Sequence, residues 1–567
     1  MEGPWIRPWV GSVYYGEDET GELMERYLAR YPAYREPQRK DLRNLESRLQ
    51  SVSVRIGLYP DLIEERLTRG ELLLKLRYPE LSVSDAKKAL IFIDTNAAEA
   101  RPDLDDEALD ILRCRTILLI GRSLFLGRCF VDCLDIVPKN PSKNKYAKDE
   151  DFVRLRRYAQ KALEFELDHN MQDPSFQEMS EEDQEHSISK GEIMVVPYPW
   201  ISDKLFRRKA SAIDHANSDI WKLSQGRVII KQSTLSDQLR EYGQIRPDQD
   251  SYGIFATKDI PADTELFWDR TILCATTGED RCAACCADLN QNVFYTTALE
   301  SCCDMACLRR LRMACQPGRR AEVQGMLADA PQNEDEALLH RGLIMAHKYT
   351  QDNPSKHPLR ARLLNRLTAR YHPGARRAFS YGAEVCRPIE ILQKLGVDIF
   401  TDDLSEAWVL ETMFNRISTN VRAVEPDGNA IVAVNTLYSF FNHSCDPNVD
   451  TLEDDLKGDS SVGMVTNRKI FKGEELYISY IADKDLRKGY HQRKKLLEYW
   501  TGGECLCRKC AYERGSSWTL DDDMEFEDES GAHNESQRRR GGHYSDFEAD
   551  WVVHDTDDLS EDSYQEE

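Results

Sequence analysis

Three short stretches in the C-terminal third gather residues that can do chemistry. Asn442-His443-Ser444-Cys445-Asp446-Pro447-Asn448 follows an apolar run (430–434) and an aromatic-rich stretch (438–441). A polar cluster this dense, straight after a buried-looking run, is placed to bind a ligand or close a turn, and Pro447 fixes a turn. About 30 residues on comes Gly473-Glu474-Glu475-Leu476-Tyr477-Ile478-Ser479-Tyr480. Its Leu476, Ile478 and Tyr480 alternate with Tyr477 and Ser479, which is the period of a strand. Cys505-Leu506-Cys507-Arg508-Lys509-Cys510 then sets three thiols close together, one short of a tetrahedral metal site. Upstream lie two more pairs, Cys282-Ala283-Ala284-Cys285 and Cys303-Asp304-Met305-Ala306-Cys307, with Cys286 and Cys302 as spares. Two short pairs on separate turns can meet around one zinc ion. Taken singly, each residue has a plainer reading: Tyr480 as core, His443 as a turn or cap, Asn442 as an Asx-turn, the cysteine patch as a loop without metal.

The elements that must position these residues fall in a clear order. Residues 1–40 carry Trp5, Trp9, Tyr14 and Tyr15 without a clear period. Residues 41–230 read as a helical domain. Leu62, Leu67, Leu72, Leu73 and Leu76 recur near helical spacing, Pro79 breaks the run, and further helices are expected over 83–92 and 154–169. An acidic loop is expected over 172–185, and residues 226–230 look like a short strand. Tyr252-Gly253-Ile254-Phe255-Ala256 reads as a strand, followed by a turn and a second strand at 263–266. Residues 318–400 are read as mostly helical, including 322–327, 336–349 and 360–371.

The totals narrow the function. The chain has 567 residues, enough for two or three domains, and a net charge of −24. Residues 521–567 hold 18 Asp and Glu against three Arg, so about −15 of that charge sits in the tail. Such a segment cannot bury enough apolar surface to order itself, and residues 516–567 read as an acidic disordered tail. The charge argues against direct nucleic-acid binding, which needs a basic face. The most apolar run, 116–137, is interrupted by Arg122, Arg128, Asp132 and Asp135 and cannot span a bilayer. The N-terminus lacks a secretory signal pattern, so an intracellular protein of nucleus or cytoplasm is expected. Its 16 Cys then read as metal ligands and buried thiols rather than disulfides.

The motifs in this order resemble the SET-domain protein lysine methyltransferases. Residues 442–448 match that family's NHSC-x-PN, residues 473–480 its GEEL-x-x-x-Y strand, and residues 505–510 its cysteine-rich post-SET segment (486–515 as a whole). Ser251-Tyr252-Gly253-Ile254-Phe255-Ala256-Thr257-Lys258-Asp259-Ile260 resembles the family's G-x-G opening, with Ser251 in place of the first glycine. The resemblance implies an α+β fold: an N-terminal helical, tetratricopeptide-like domain, then a β-rich SET domain (a β-clip with a knot-like crossing, or pseudoknot) over 245–485. That domain would be interrupted by a shortened MYND-like zinc finger (282–307) and a helical insert (318–400), as in the SMYD-like branch and in fungal-type SET proteins with tetratricopeptide repeats. The repeat resemblance rests on Gly121 to Cys129 and on Leu74-Lys75-Leu76-Arg77-Tyr78-Pro79 with Ala86 and Ala89.

The resemblance also implies roles. Tyr480 would stand at the point of methyl transfer. Tyr252, Gly253, Ile254, Asn415, Ser439, Phe441, Asn442, His443, Tyr480 and Tyr499 would surround S-adenosylmethionine. Cys445 would complete a zinc site with Cys505, Cys507 and Cys510, and Cys282, Cys285, Cys303 and Cys307 would hold a second zinc. Arg416 and Ile417 depart from the family's N-S-F segment, and Thr501-Gly502-Gly503 lengthens the link after Tyr499. The expected function is S-adenosylmethionine-dependent methylation of lysine on a protein, histone or other, with partners engaged by the helical repeats. The alternative is an inactive SET-fold scaffold acting through those repeats and the acidic tail.

Overall fold

The computed structural model describes residues 11–16, 18–31, 39–95, 104–139, 149–172, 174–206, 208–236, 239, 251–270, 273–276, 281–282, 285–287, 289, 295–297, 300–302, 307, 334–369, 371, 375–424, 431–453, 459–501 and 505–515. The acidic tail, Cys303 and the helix expected at 322–327 lie outside them. No helix among them is long and apolar enough to cross a membrane.

The N-terminal half is helical: α1 (Glu19–Ala29), α2 (Arg39–Leu58), α3 (Ile63–Lys75), α4 (Pro79–Thr95), α5 (Asp106–Leu126), α6 (Phe130–Ile136), α7 (Glu150–Asn170), α8 (Glu181–Ser189) and α9 (Ala210–Leu223). Acidic N-caps start three of them: Asp18, Asp105 and Asp149 each accept from a backbone N–H of the first turn. Pro79 opens α4, where its missing N–H costs nothing. Successive helices pack on one another from α2 through α7, and α7 returns onto α1. Two of the turns share one geometry. After α3, Tyr78 N–H reaches Leu73 O and Arg77 sits at φ 69; after α5, Cys129 N–H reaches Leu124 O and Arg128 sits at φ 60. Both are Schellman closures with an arginine in the left-handed position where glycine is usual. Gly127, the glycine of the second turn, keeps a negative φ. Arg128 is held there by Asp18, Glu166 and the carbonyl of Tyr15.

The segment read as an acidic loop, 172–185, instead holds a helical turn (Pro174–Gln177) and the start of α8, and the strand expected near 228 is β2 (Val228–Gln232). The strand β1 (Gly191–Met194) was not anticipated; it pairs with β8 (Arg376–Phe379), far along the chain. The remaining strands are β3 (Tyr252–Ala256), β4 (Glu265–Asp269), β5 (Leu273–Thr276), β6 (Tyr295–Thr297), β7 (Glu300–Cys302), β9 (Arg422–Val424), β10 (Ile431–Val434), β11 (Asn442–His443), β12 (Val449–Leu452), β13 (Val462–Thr466) and β14 (Glu475–Ile478). Among the described residues they form small sheets of order β11-β14-β3-β2, β12-β13-β4 and β5-β10-β9, plus two-stranded pairs. The longer helices of this half are α10 (Glu334–Asp352), α11 (Arg387–Lys394), α12 (Ala407–Ser418), α13 (Tyr490–Thr501) and α14 (Arg508–Gly515). The helix expected over 360–371 is reduced to a single turn, Arg362–Arg366.

One apolar core runs through both halves. It joins Leu67, Phe125 and Leu155 of the N-terminal helices to Leu273, Leu343, Phe414 and Val434. The helical part therefore has no closed core ending near residue 230. A second core, with Ile220, Val228, Ile254, Phe441, Leu476 and Ile478, lies under the sheet that carries the motifs. α9 packs on β2 from within the segment assigned by sequence to the helical domain.

Candidate active site and metal centre

The site is built where β11 meets β14. The two run parallel for two residues only, Asn442 beside Tyr477 and His443 beside Ile478. So short a pair needs help, and the loop after β11 supplies it. Ser444 N–H donates to Ile478 O at 2.9 Å. Asn448 spans the strand: its Nδ2 donates to Glu475 O at 3.0 Å, and its Oδ1 accepts from Tyr477 N–H at 2.7 Å. The polar loop thereby wraps β14.

On the other side of β14 lies β3, and there a buried carboxylate is the hub. Glu475 is 4% exposed. It accepts from Ser233 Oγ at 2.7 Å, from Thr234 N–H at 3.0 Å, from Thr234 Oγ1 at 2.6 Å and from Asn442 Nδ2 at 2.9 Å. Four donors satisfy a charge that burial would otherwise make costly. Asn442 Nδ2 also lies 3.0 Å from Tyr252 O, which ties β11 to β3. The close approach explains Gly253: a Cβ there would stand 2.1 Å from Glu475 Oε1.

Tyr480 and His443 form the next layer. Tyr480 N–H donates to His443 Nδ1 at 3.0 Å, and its hydroxyl donates to Phe441 O at 2.7 Å. The two rings lie 5.3 Å apart. Since His443 Nδ1 accepts, the ring proton belongs on Nε2, which faces Cys445 Sγ at 3.3 Å. An N–H donor on a sulfur favours the thiolate, the form that binds metal.

Cys445 meets three cysteines from beyond α13. The sulfurs of Cys445, Cys505, Cys507 and Cys510 all lie within 4.8 Å of one another, and all four residues are buried. Cys445 Sγ is 3.5 Å from Cys510 Sγ and 4.0 Å from Cys505 Sγ. A zinc ion with four bonds of about 2.3 Å requires sulfurs about 3.8 Å apart, so these thiols fit a tetrahedral zinc. Cys507 directly precedes α14 and Cys510 lies in its first turn, where backbone N–H groups favour negative charge, and Cys510 N–H approaches Cys507 Sγ at 3.4 Å. Arg493, 1% exposed, sets Nη2 at 3.4 Å from Cys510 Sγ and 2.7 Å from Glu513. Its charge offsets part of the surplus of a four-thiolate site.

Residues 251–481 match the family model for the SET domain. The matched region runs from the start of β3 to just past Tyr480 and includes Cys445, while Cys505, Cys507 and Cys510 lie beyond it. Among curated proteins, 120 residues are 32% identical to the histone-lysine N-methyltransferase ATXR4 of Arabidopsis thaliana, covering 21% of this chain and 34% of that protein. A further 121 are 31% identical to SET domain and MYND-type zinc finger protein 6 of Schizosaccharomyces pombe, covering 20% and 24%. A SET and MYND domain-containing protein of Dictyostelium discoideum is 34% identical over 90 residues, covering 16% and 22%. The chain therefore spans about a third or less of the length of these relatives.

The structure brings together Tyr252, Gly253, Phe441, Asn442, His443, Cys445 and Tyr480. Other expected residues stand elsewhere or do other work. Ile254 is a core residue under the sheet. Ser439 Oγ donates within its own turn, to Thr436 O at 2.9 Å. Asn415 lies in α12, where its Oδ1 accepts from Arg377 Nε at 2.6 Å; Arg377 is also paired with Glu384 and Glu411. Ile417 is buried in the main core rather than at the motif loop. Tyr499 belongs to α13, with its side chain outside the described part.

The upstream cysteine patch is a separate centre. Cys282, Cys285 and Cys307 place their sulfurs within 4.8 Å of one another. Cys286 N–H donates to Cys282 O, and Cys282 N–H to Ala287 O, which closes the knuckle. Cys286 does not serve as a spare ligand: its thiol faces Cys274 Sγ of β5 at 3.4 Å.

Sequence reasoning missed Ser233, Thr234, Glu475 and Arg208 as site residues. Glu475 lies inside a quoted motif. Ser233 and Thr234 directly follow β2, whose apolar run was visible. Arg208 carries no local signal; its guanidinium lies over the Phe440 ring, 4.6 Å from the centroid, and 5.9 Å from that of Tyr252.

Proposed function

We propose that the chain is a protein-lysine methyltransferase that uses S-adenosylmethionine. The observation that carries the reading is the meeting of Asn442, Tyr252, Tyr480 and the Cys445 cluster around one parallel strand pair, inside a region that matches the SET domain. A relative named as a histone-lysine N-methyltransferase supports lysine on a protein as the substrate class.

S-adenosylmethionine, when bound, supplies an electrophilic methyl group on a positively charged sulfur. The residues present suit such a molecule. The partly buried rings of Tyr438 and Tyr480 offer faces that tolerate a cation and exclude water. Arg208 Nε is buried without a hydrogen-bond partner, as a group awaiting a ligand would be. Tyr252, Gly253, Phe441, Asn442, His443 and Tyr480 would surround the donor.

The chain's own groups then have definable tasks. Tyr480 gives its hydroxyl proton to Phe441 O, so its oxygen is left to accept. It can take an N–H of the incoming lysine and set the direction of the nitrogen lone pair. Aromatic surroundings disfavour the ammonium form of a lysine whose free pKa is about 10.4, which promotes the neutral nucleophile. His443 fixes the Tyr480 backbone from one ring nitrogen and reaches Cys445 from the other. A zinc held by Cys445, Cys505, Cys507 and Cys510 would act as the post-SET clamp, tying residues 505–515 to the motif loop. Cys282, Cys285, Cys303 and Cys307 would form the shortened MYND-like centre. The N-terminal helices, with their tetratricopeptide-like sequence pattern, would present the partner surface.

One observation favours the second reading, an inactive scaffold: the Asn442 side-chain amide is already engaged by Tyr252 O, Glu475 and Ser233. Calorimetry with S-adenosylmethionine on zinc-loaded protein, followed by labelled methyl transfer to core histones and to extract proteins, separates the two. Binding with label on lysine is expected, and Tyr480→Phe should keep donor affinity while slowing transfer by about 100-fold or more. A folded, zinc-loaded protein that neither binds the donor nor transfers label leaves only the scaffold.

A further inference from the structure

Arg208 stands in the chain just before α9, outside the region that matches the SET domain. Its guanidinium nevertheless reaches the aromatic edge of the strand junction, over Phe440 and beside Tyr252. Tyr252 is the residue whose carbonyl Asn442 holds.

This cation is unusual in its company. Arg69 faces Asp85, Arg128 faces Asp18 and Glu166, Arg366 faces Asp219, Arg377 faces Glu384 and Glu411, and Arg493 faces Glu513. No carboxylate pairs with Arg208 among the described residues. The groups that act on its charge are Tyr252, Tyr480 and Arg416, and burial together with the Arg416 charge brings its pKa down to about 10. Its Nε is buried and bonds to nothing. Arg208 is half-buried as a whole, and a partly desolvated cation without a counter-charge is costly, a cost relieved when an anion arrives.

The donor assigned above has one anionic group. Its sulfonium and its α-ammonium are both positive and would be repelled by a guanidinium, and its adenosine is neutral. Only the α-carboxylate can pair, and the planar guanidinium fork matches a carboxylate in two-point contact while still stacking on an aromatic face. We propose that Arg208 binds the α-carboxylate of S-adenosylmethionine, so that the segment before the SET region completes the donor pocket. The inference rests on the methyltransferase reading. It gives the first 230 residues a role at the reacting centre as well as at a partner surface.

The test compares two donors on the full-length, zinc-loaded chain: S-adenosylmethionine and its decarboxylated form, which lacks only the carboxylate. The wild type is expected to prefer S-adenosylmethionine by about 10- to 100-fold in calorimetry, the range expected for a charge-assisted pair. Arg208→Gln should abolish that preference by weakening S-adenosylmethionine alone, leaving the decarboxylated donor within about threefold; Arg208→Lys should restore part of it. Equal weakening of both donors by Arg208→Gln would make the residue a packing element and overturn the proposal. An unchanged preference would overturn it as well, and would direct the cation to a carboxylate of the protein substrate. If Arg208→Gln fails to fold, a wild type that binds both donors equally decides against it. A wild type that binds neither sinks the methyltransferase reading and this inference with it, whereas binding without discrimination sinks this inference only.

Discussion

The two cysteine centres differ in what else their chain segments touch. Cys445 and Cys505 are 60 positions apart, and Cys445 is two residues from His443, which in turn holds Tyr480. A metal there would fasten residues 505–515 to the loop that wraps β14. It is also surrounded by devices that favour thiolate: the His443 Nε2, the start of α14 and the buried Arg493. The other centre, Cys282, Cys285 and Cys307, is framed by a backbone knuckle and attached to the loop before β13 through Ser460 N–H on Cys285 O. Nothing described links it to Tyr480 or Asn442. A metal site of similar composition can thus be an organiser of chemistry in one place and a local staple in another, and the difference lies in the neighbours of the ligands.

Substitutions can break that contrast or sharpen it. The largest effect is expected for Cys445→Ser. Metal analysis should show one zinc fewer per chain, donor binding should fall below detection, and the melting midpoint should drop by about 10 °C or more. Retained donor affinity in a variant that has lost that zinc would mean the clamp is no organiser. Glu475→Gln comes next. It leaves three donors and an amide facing a reduced charge at the β3–β14 junction, so the urea midpoint should fall by an amount worth about 2–4 kcal/mol. Zinc content should stay the same, because the junction and the metal centre are separate layers. Tyr480→Phe removes one hydrogen bond, to Phe441 O, and should cost about 1 kcal/mol in the same denaturation assay. Cys285→Ser should matter least to the site: it should abolish the second zinc equivalent yet change donor affinity by less than about threefold. A large loss of donor binding in that variant would erase the distinction between the two centres.

Much of the site was legible because its parts are local in sequence. The 442–448 loop, the alternation through Leu476 and Ile478, and the 505–510 thiols each announce themselves within ten residues, and the structure assembles them at one place. What could not be read was contact at long range. Ser233 bonds to Glu475 across 242 positions, and no periodicity of either segment carries that pairing. Arg208 is likewise defined by where its guanidinium ends. Asn415 was placed near the donor by its likeness to the family's N-S-F segment, and its link to Arg377, 38 positions away, could not be read from that segment. The helical half hid its polar interior for a related reason: Arg66, Arg69, Asp85 and Lys88 sit buried where an apolar stripe would be expected, and beside Asp85 their partners are Glu406 and the carbonyls of Phe400 and Ser405. Those partners lie more than 300 positions away, so helical period alone assigns these residues to the wrong face.

The wide spacing of the central sheet sets a timetable for the newborn chain. β2 and β3 leave the ribosome as a ready hairpin, register Val228 to Ala256, with the edge reserved for β14 still bare. Glu475 trails Ser233 by 242 residues, which at about 5–20 residues per second is a delay of roughly 10–50 seconds. During that interval an unpaired strand edge stands beside exposed apolar residues, the condition under which nascent chains stick to one another or are taken up by chaperones. The yield of folded protein should therefore respond to translation speed and chaperone supply more than its finished stability would suggest.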